Sequence, residues 1–219
     1  MKGLDHLLSA VSRSFYLSMR FLPREMRPGV AVGYLLARAT DTVADAVDMD
    51  CRERLALLRM MGETVAGSAS REVAATCFGR LGVLSTIQTH RGEAELLARF
   101  PECLALLENL SPHERMLVRQ VLASIVEGQA WDLRYAAVSC PEQLEHYTYM
   151  VAGCVGEFWT RLGLLAQGPG FSTQPEGQLL RWGRHYGMGL QLVNILRDRE
   201  EDLARGRSYL PAPDDRPWL

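Results

Sequence analysis

Apolar residues recur along this chain at intervals of three and four, and the strict alternation expected of half-buried strands is rare. The spacing predicts helices at about 3–21, 24–47, 51–68, 71–89, 92–108, 111–135, 141–167 and 175–204. Pro23, Pro101, Pro112 and Pro141 fall at or near predicted starts, where a missing N–H costs little. Ser111-Pro112-His113-Glu114 reads as an N-cap followed three residues later by a carboxylate that can reach back. Gln167-Gly168-Pro169-Gly170 ends a helix, and the proline-rich run from Pro211 to Pro217 is not predicted to form one. Eight helices with short links imply an all-α bundle, read as one domain over 1–219.

Two sets of polar residues interrupt this pattern with helical spacing of their own, about 150 residues apart. The first is Tyr34, Arg38, Asp41 and Asp45; the second is Gln191, Asn194, Asp198 and Asp202. Offsets of three and four put each set on one helix face. Carboxylates on an apolar helix are costly to bury unless a cation meets them. Facing helices of this kind would suit a hard cation such as Mg2+, and through it phosphate oxygens.

Asp41 and Asp45 alone read first as a solvated face, with Arg38 paired to one of them. The second set is more specific. Asn194 sits within Leu192-Val193-Asn194-Ile195-Leu196, a stretch expected in the core, where an amide needs a partner. Arg197 and Arg207 flank it, and Glu200 and Glu201 point to other, exposed faces. Two weaker signals remain. Ser12, Arg13, Ser14 and Phe15 combine hydroxyls with a guanidinium suited to a diphosphate, yet such triplets also serve as caps. Between Tyr147 and Trp159, Ala152, Gly153 and Gly156 lie inside a predicted helix and allow either close packing, the favoured reading, or room for a ligand. The Tyr147 phenol could orient or move a proton there.

Composition narrows the setting. With 219 residues, 47% of them hydrophobic, the chain can bury a sizeable core. A net charge of -2 gives no global attraction to nucleic acid, so an anionic substrate would be handled by local arginines. Five scattered cysteines, odd in number, fit reduced thiols and not a zinc site. No signal peptide is read at the start, and no apolar run reaches roughly 18 residues. The expected location is cytoplasmic, with peripheral membrane contact for product release left open.

Together the ordered motifs resemble the squalene/phytoene synthase family. They run from S-R-S-F at Ser12–Phe15, through Y-L-L-A-R-A-T-D-T-V-A-D, Y-T-Y-M-V-A-G-C-V-G and Q-L-V-N-I-L-R-D-R-E-E-D, to G-R-S-Y-L-P at Gly206–Pro211. The resemblance implies an isoprenoid-synthase bundle around an apolar cavity, with a magnesium cluster at its mouth held by Asp41, Asp45, Asn194, Asp198 and Asp202. It implies diphosphate contacts from Ser12, Arg13, Ser14, Arg38, Arg197 and Arg207. Tyr34, Tyr147 and Gln191 would line the reacting centre, with Phe15 beside the allylic chains.

The implied reaction joins two prenyl diphosphates head to head through a cyclopropyl intermediate. D-T-V-A-D, S-R-S-F and A-R-A-T-D look more like squalene synthases, in particular the bacterial ones, so farnesyl diphosphate is the expected substrate and squalene, made with NADPH, the expected product. The alternatives are a phytoene or dehydrosqualene synthase working without NADPH, and a non-catalytic assembly-factor relative. The presence of all four aspartates speaks against the last. The family normally continues past the Y-L-P turn, so the bundle is expected to lack C-terminal helices that complete the cavity wall.

Overall fold

We describe a computed structural model over residues 2–135 and 137–210, with the side chains of 2–5, 13 and 14 outside the description. The expectations for Arg13, Ser14 and the tail from Pro211 therefore lie outside the described residues.

The chain forms α1 (Lys2–Arg20), α2 (Arg27–Ala44), α3 (Cys51–Ala66), α4 (Arg71–Ile87), α5 (Arg91–Ala98), α6 (Phe100–Glu108), α7 (Pro112–Arg134), α8 (Pro141–Thr148), α9 (Cys154–Gln167), α10 (Glu176–Arg197) and α11 (Arg199–Ala204). A π-helical turn, Tyr149–Gly153, joins α8 to α9, and a short 3-10 turn, Gly168–Gly170, follows α9. The all-α expectation holds.

Three predicted helices are subdivided. The 92–108 segment breaks at Arg99, because Pro101 lies in the first turn of α6 and cannot continue the ladder from α5. The 141–167 segment widens into the π turn, which brings α7 close: a Cβ on Gly128 would lie 2.7 Å from Val151 Cγ1. The 175–204 segment breaks at Asp198, whose side chain pairs with neighbouring Arg197.

Helix starts follow their chemistry. At α7, the Ser111 hydroxyl accepts from the Glu114 N–H at 3.3 Å, and the Glu114 carboxylate accepts from the Ser111 N–H at 3.2 Å. Asp50 and Glu53 make the same reciprocal pair at α3.

At the centre, α2 packs against α1, α3, α5, α6 and α7, and α7 also packs against α9. Leu35, Leu36 and Val43 of α2 meet Leu57 and Met61 of α3 and Val118 and Leu122 of α7 in one buried core. By contrast α10 lies at the edge, against α9, the π turn and α8. That corrects one expectation: the Leu192–Leu196 stretch is not core, since Val193 is 59% and Leu196 62% exposed and only Ile195 is buried. The apolar run has no described neighbour on its outer side, so periodicity alone misassigned it.

All five cysteines are free. Burial pushes the thiols of Cys77, Cys103 and Cys154 up, to about 11, 12 and 12. Among the described residues, no helix is long and apolar enough to cross a membrane.

Candidate functional site

A cavity of about 450 Å³ opens where α2, α7, the π turn, α9, α10 and the segment after α11 converge. The first ladder lines it: Tyr34, Arg38, Asp41 and Asp45 all reach it. The stripe Val121, Ile125, Gln129 and Asp132 of α7 forms the facing wall, and Tyr147, Val151, Val155, Phe158 and Trp159 form its apolar end.

Arg38 sits between two carboxylates. Its Nη1 donates to Asp41 Oδ2 at 2.7 Å, and its Nη2 donates to Glu93 of α5. The Arg38 Nε is buried with no hydrogen-bond partner, as is Gln129 Oε1 across the cavity. Buried polar groups left unpaired are the exception in folded proteins, so the cavity has a donor and an acceptor ready for a polar guest. Asp41 is raised to about 6, first by burial and next by the Asp45 carboxylate, against the pull of Arg38. Glu93 adds to that rise. Replacing it by glutamine (Glu93→Gln) is therefore expected to lower the Asp41 midpoint toward 3.8, read by carboxyl NMR titration. An unmoved midpoint would show that the Glu93 charge does not reach Asp41.

Tyr34 donates to the Val11 carbonyl at 3.1 Å and stacks on Phe15, ring centroids 4.6 Å apart. Phe15 in turn meets Trp159 edge-on at 6.2 Å. Ser12 does not join them: it is buried, and its hydroxyl donates to the Leu8 carbonyl within α1. That hydroxyl proton is therefore not offered to a diphosphate in this conformation.

The second ladder is divided. Gln191 lines the first cavity and also a second, of about 930 Å³, while Asn194 lines only the second. Asn194 Nδ2 lies 3.5 Å from Gln191 Oε1. Asp198 is held well below the usual carboxylate range by Arg197, whose Nε and Nη2 donate to it at 2.7 and 2.6 Å. Asp202 is pushed upward by burial, with Arg207 opposing. Neither aspartate lines the two cavities.

Arg207 connects the two halves. It lines the first cavity, contacts Asp132 Oδ2 at 3.3 Å through Nη1, and lies within electrostatic reach of Asp45 and Asp202. Its segment is fixed by the Val138 N–H, which donates to the Ser208 carbonyl at 2.8 Å. The same fixing puts Tyr209 into the cavity wall.

Asp132, Gln129, Glu93 and Tyr209 escaped the sequence reading. For Gln129 and Asp132 a signal existed, because two polar residues end the apolar stripe Val121, Ile125 at helical spacing. For Glu93 there was none, since its partner is 55 residues away.

The donor set bears on magnesium. Among the described residues, no group of three or more acidic, histidine or cysteine side chains is gathered to hold a metal. A magnesium ion carried on one or two carboxylates and substrate oxygens needs no such cage. Asp41 and Asp45 fit that role, being neighbouring carboxylates of which one is pushed to about 6 by burial and by the charge of the other.

The second cavity is lined by Leu22, Met26, Phe171, Trp182, Tyr186 and Leu190, with no charged side chain. It shares Val151, Val155, Trp159 and Gln191 with the first. A chamber that carries charged side chains and a larger one that carries none therefore meet at these four residues.

The chain is similar to known proteins over most of its length. The squalene/phytoene synthase family profile matches residues 8–214. Squalene synthase BSS of Botryococcus braunii is 26% identical over 209 residues, 94% of this chain and 41% of its own. Squalene synthase ERG9 of Saccharomyces cerevisiae is 29% identical over 210 residues, 94% of this chain and 44% of its own. A bifunctional lycopene cyclase/phytoene synthase of Blakeslea trispora is 28% identical over 206 residues, 94% of this chain and 31% of its own. The solved complex of TcSQS with the ligand E5700 superposes with a TM-score of 0.71 at 25% identity, over 96% of this chain and 57% of that one. The chain thus spans less than half the length of these curated relatives.

Proposed function

Since the chain belongs to the squalene/phytoene synthase family, we propose that it carries the reacting centre for head-to-head condensation of two farnesyl diphosphates, through presqualene diphosphate, to squalene. The observation that carries this reading is the junction of two chambers: one with Arg38, Asp41, Asp45 and Arg207, and one large and apolar. A prenyl diphosphate needs both, since its head is a polyanion and its tail a hydrocarbon. Residues 1–219 are taken as one isoprenoid-synthase unit.

Arg38 and Arg207 bind the departing diphosphate and neutralise its charge, which lowers the barrier to breaking the allylic C–O bond. Magnesium, when bound on Asp41 and Asp45, would supply further neutralisation of phosphate oxygens. In this reading Asn194, Asp198 and Asp202 act from the second ladder, and Arg197 is released from Asp198 to meet substrate. Tyr34, Phe158 and Trp159 give the resulting cation aromatic faces and exclude water from it, and Phe15, which lines neither cavity, supports the Tyr34 and Trp159 rings. Reaching squalene also needs a hydride, which NADPH would supply; the second cavity has no cationic side chain to cradle its phosphates, and no residue there is assigned to hold it.

The test is direct. Purified protein is given farnesyl or geranylgeranyl diphosphate, with or without Mg2+ and NADPH. Squalene from the C15 substrate, dependent on both additions, is the expected result. Turnover of the C20 substrate alone would replace this reading with a phytoene synthase. A C30 hydrocarbon formed from farnesyl diphosphate without NADPH would indicate dehydrosqualene. Retention of cellular function by both Asp41→Ala and Asp198→Ala would favour a non-catalytic assembly role.

A further inference from the structure

Three side chains outside the two ladders, Tyr147, Tyr209 and Asp132, line the first cavity next to one another. Tyr147 is buried and lines the apolar end. Its ring stacks on that of Tyr209, with centroids 5.1 Å apart and planes 16° apart, and the two phenols lie within electrostatic reach of each other. Trp131 holds Tyr147 from another side, at 5.4 Å. Tyr209 donates in turn to Asp132 Oδ1 at 2.5 Å. The Asp132 side chain keeps 15% of its surface at solvent, beside Arg207.

Packing alone does not explain this set. A phenylalanine at 209 would stack on Tyr147 as well, but only the phenol can donate to the mostly buried Asp132 carboxylate. The order of the groups is also directional, with phenol, phenol and carboxylate leading outward. Burial first, and then Asp132, holds the Tyr147 phenol well above its ordinary range, so it is not a standing phenolate base. To accept a proton it must pass its own onward.

We propose that Tyr147, Tyr209 and Asp132 form a proton exit that serves the condensation step, with Tyr209 and Asp132 acting through Tyr147. The proposal rests on the functional reading above and is independent of which final product follows. Joining two allylic groups as a cyclopropane releases one proton. A C–H bond at the joining carbon breaks, and its electron pair completes the third ring bond. The proton goes to the Tyr147 oxygen while the Tyr147 hydrogen moves to Tyr209 and the Tyr209 hydrogen to Asp132. Both phenols end as they began, and Asp132 ends neutral. It then gives its proton to water, a return to the carboxylate that Arg207 favours.

The test has two arms on the full chain. In the first, tyrosine ζ-carbon NMR reads Tyr147. Asp132→Asn is expected to shift the Tyr147 resonance, and to lose that effect in the Tyr209→Phe background. An absent shift, or one that persists in Tyr209→Phe, overturns the coupling of the three groups. In the second, Tyr209→Phe is expected to lower kcat for farnesyl diphosphate consumption about 100-fold, as loss of positioned proton transfer does, with KM and thermal midpoint held. An unchanged kcat overturns the catalytic role. A wild-type chain that consumes no prenyl diphosphate would count against the functional reading, and the spectral arm would still decide whether the three groups are coupled.

Discussion

Asp41→Asn is expected to reduce turnover by at least about 10³-fold while leaving the fold intact or slightly firmer. The two effects have one source. Asp41 is raised to about 6 from an ordinary 3.8 because burial and the Asp45 carboxylate disfavour its charge. A carboxyl whose folded value lies above its unfolded one weakens the fold once ionised. That penalty is absent below the unfolded value, grows as pH rises between 3.8 and about 6, and is complete above it.

The full shift would correspond to about 3 kcal/mol. With 44% of the Asp41 side chain at solvent, screening reduces this to about 1 kcal/mol. The asparagine variant should therefore melt roughly 2–4 °C higher than wild type at pH 8 and show no such gain at pH 4. Thermal unfolding at the two pH values, beside the turnover assay, checks both halves. Retained turnover would remove Asp41 from the centre of the site. A large loss of stability would mean that its carboxylate holds the fold together.

Gly156→Ala should have the largest effect on stability. A Cβ there would lie 1.8 Å from the Gly183 carbonyl oxygen, a backbone atom with nowhere to retreat. The contact is reciprocal: a Cβ on Gly183 would lie 2.6 Å from the Gly156 carbonyl oxygen, and one on Gly187 2.2 Å from that of Ala152. Here α10 lies backbone to backbone against α9 and the π turn, so one methyl must force the helices apart. The expected loss is about 3 kcal/mol, at the upper end for overpacking. That is roughly 10 °C in the melting temperature.

Gln191 and Asn194 ride on α10, so binding in the cavities should weaken as well. Gly79→Ala or Gly82→Ala in α4 is the control, because nothing lies within 4 Å of either position. A helix-interior alanine there should add about 0.5–1 kcal/mol. Equal melting temperatures for Gly156→Ala and wild type would show that the α9–α10 approach is not tight.

These two residues mark how legible the chain was. Asp41 stood out because its spacing from Arg38 and Asp45 is a local property of one helix, and α2 keeps that face toward the cavity. Gly156 could be read as packing or as space for a ligand. Its contact to Gly183 decides for packing, and the residue also lines the second cavity. The second ladder was read as continuous. The break at Asp198 leaves Gln191 in the first cavity, and neither aspartate of the ladder lines either cavity. The Asp198 side chain is taken by the adjacent Arg197.

The sequence by itself determined what depends on near neighbours. It specified helices throughout from apolar spacing, the Ser111 cap from side-chain reach, and the first ladder from offsets of three and four. The tertiary structure alone decided which distant groups meet: Arg38 with Glu93, Arg207 with Asp132, and Tyr147 with Tyr209. Those meetings span tens of residues and are fixed by helix packing and by the 137–138 pairing with Ser208, for which no local spacing carries a signal.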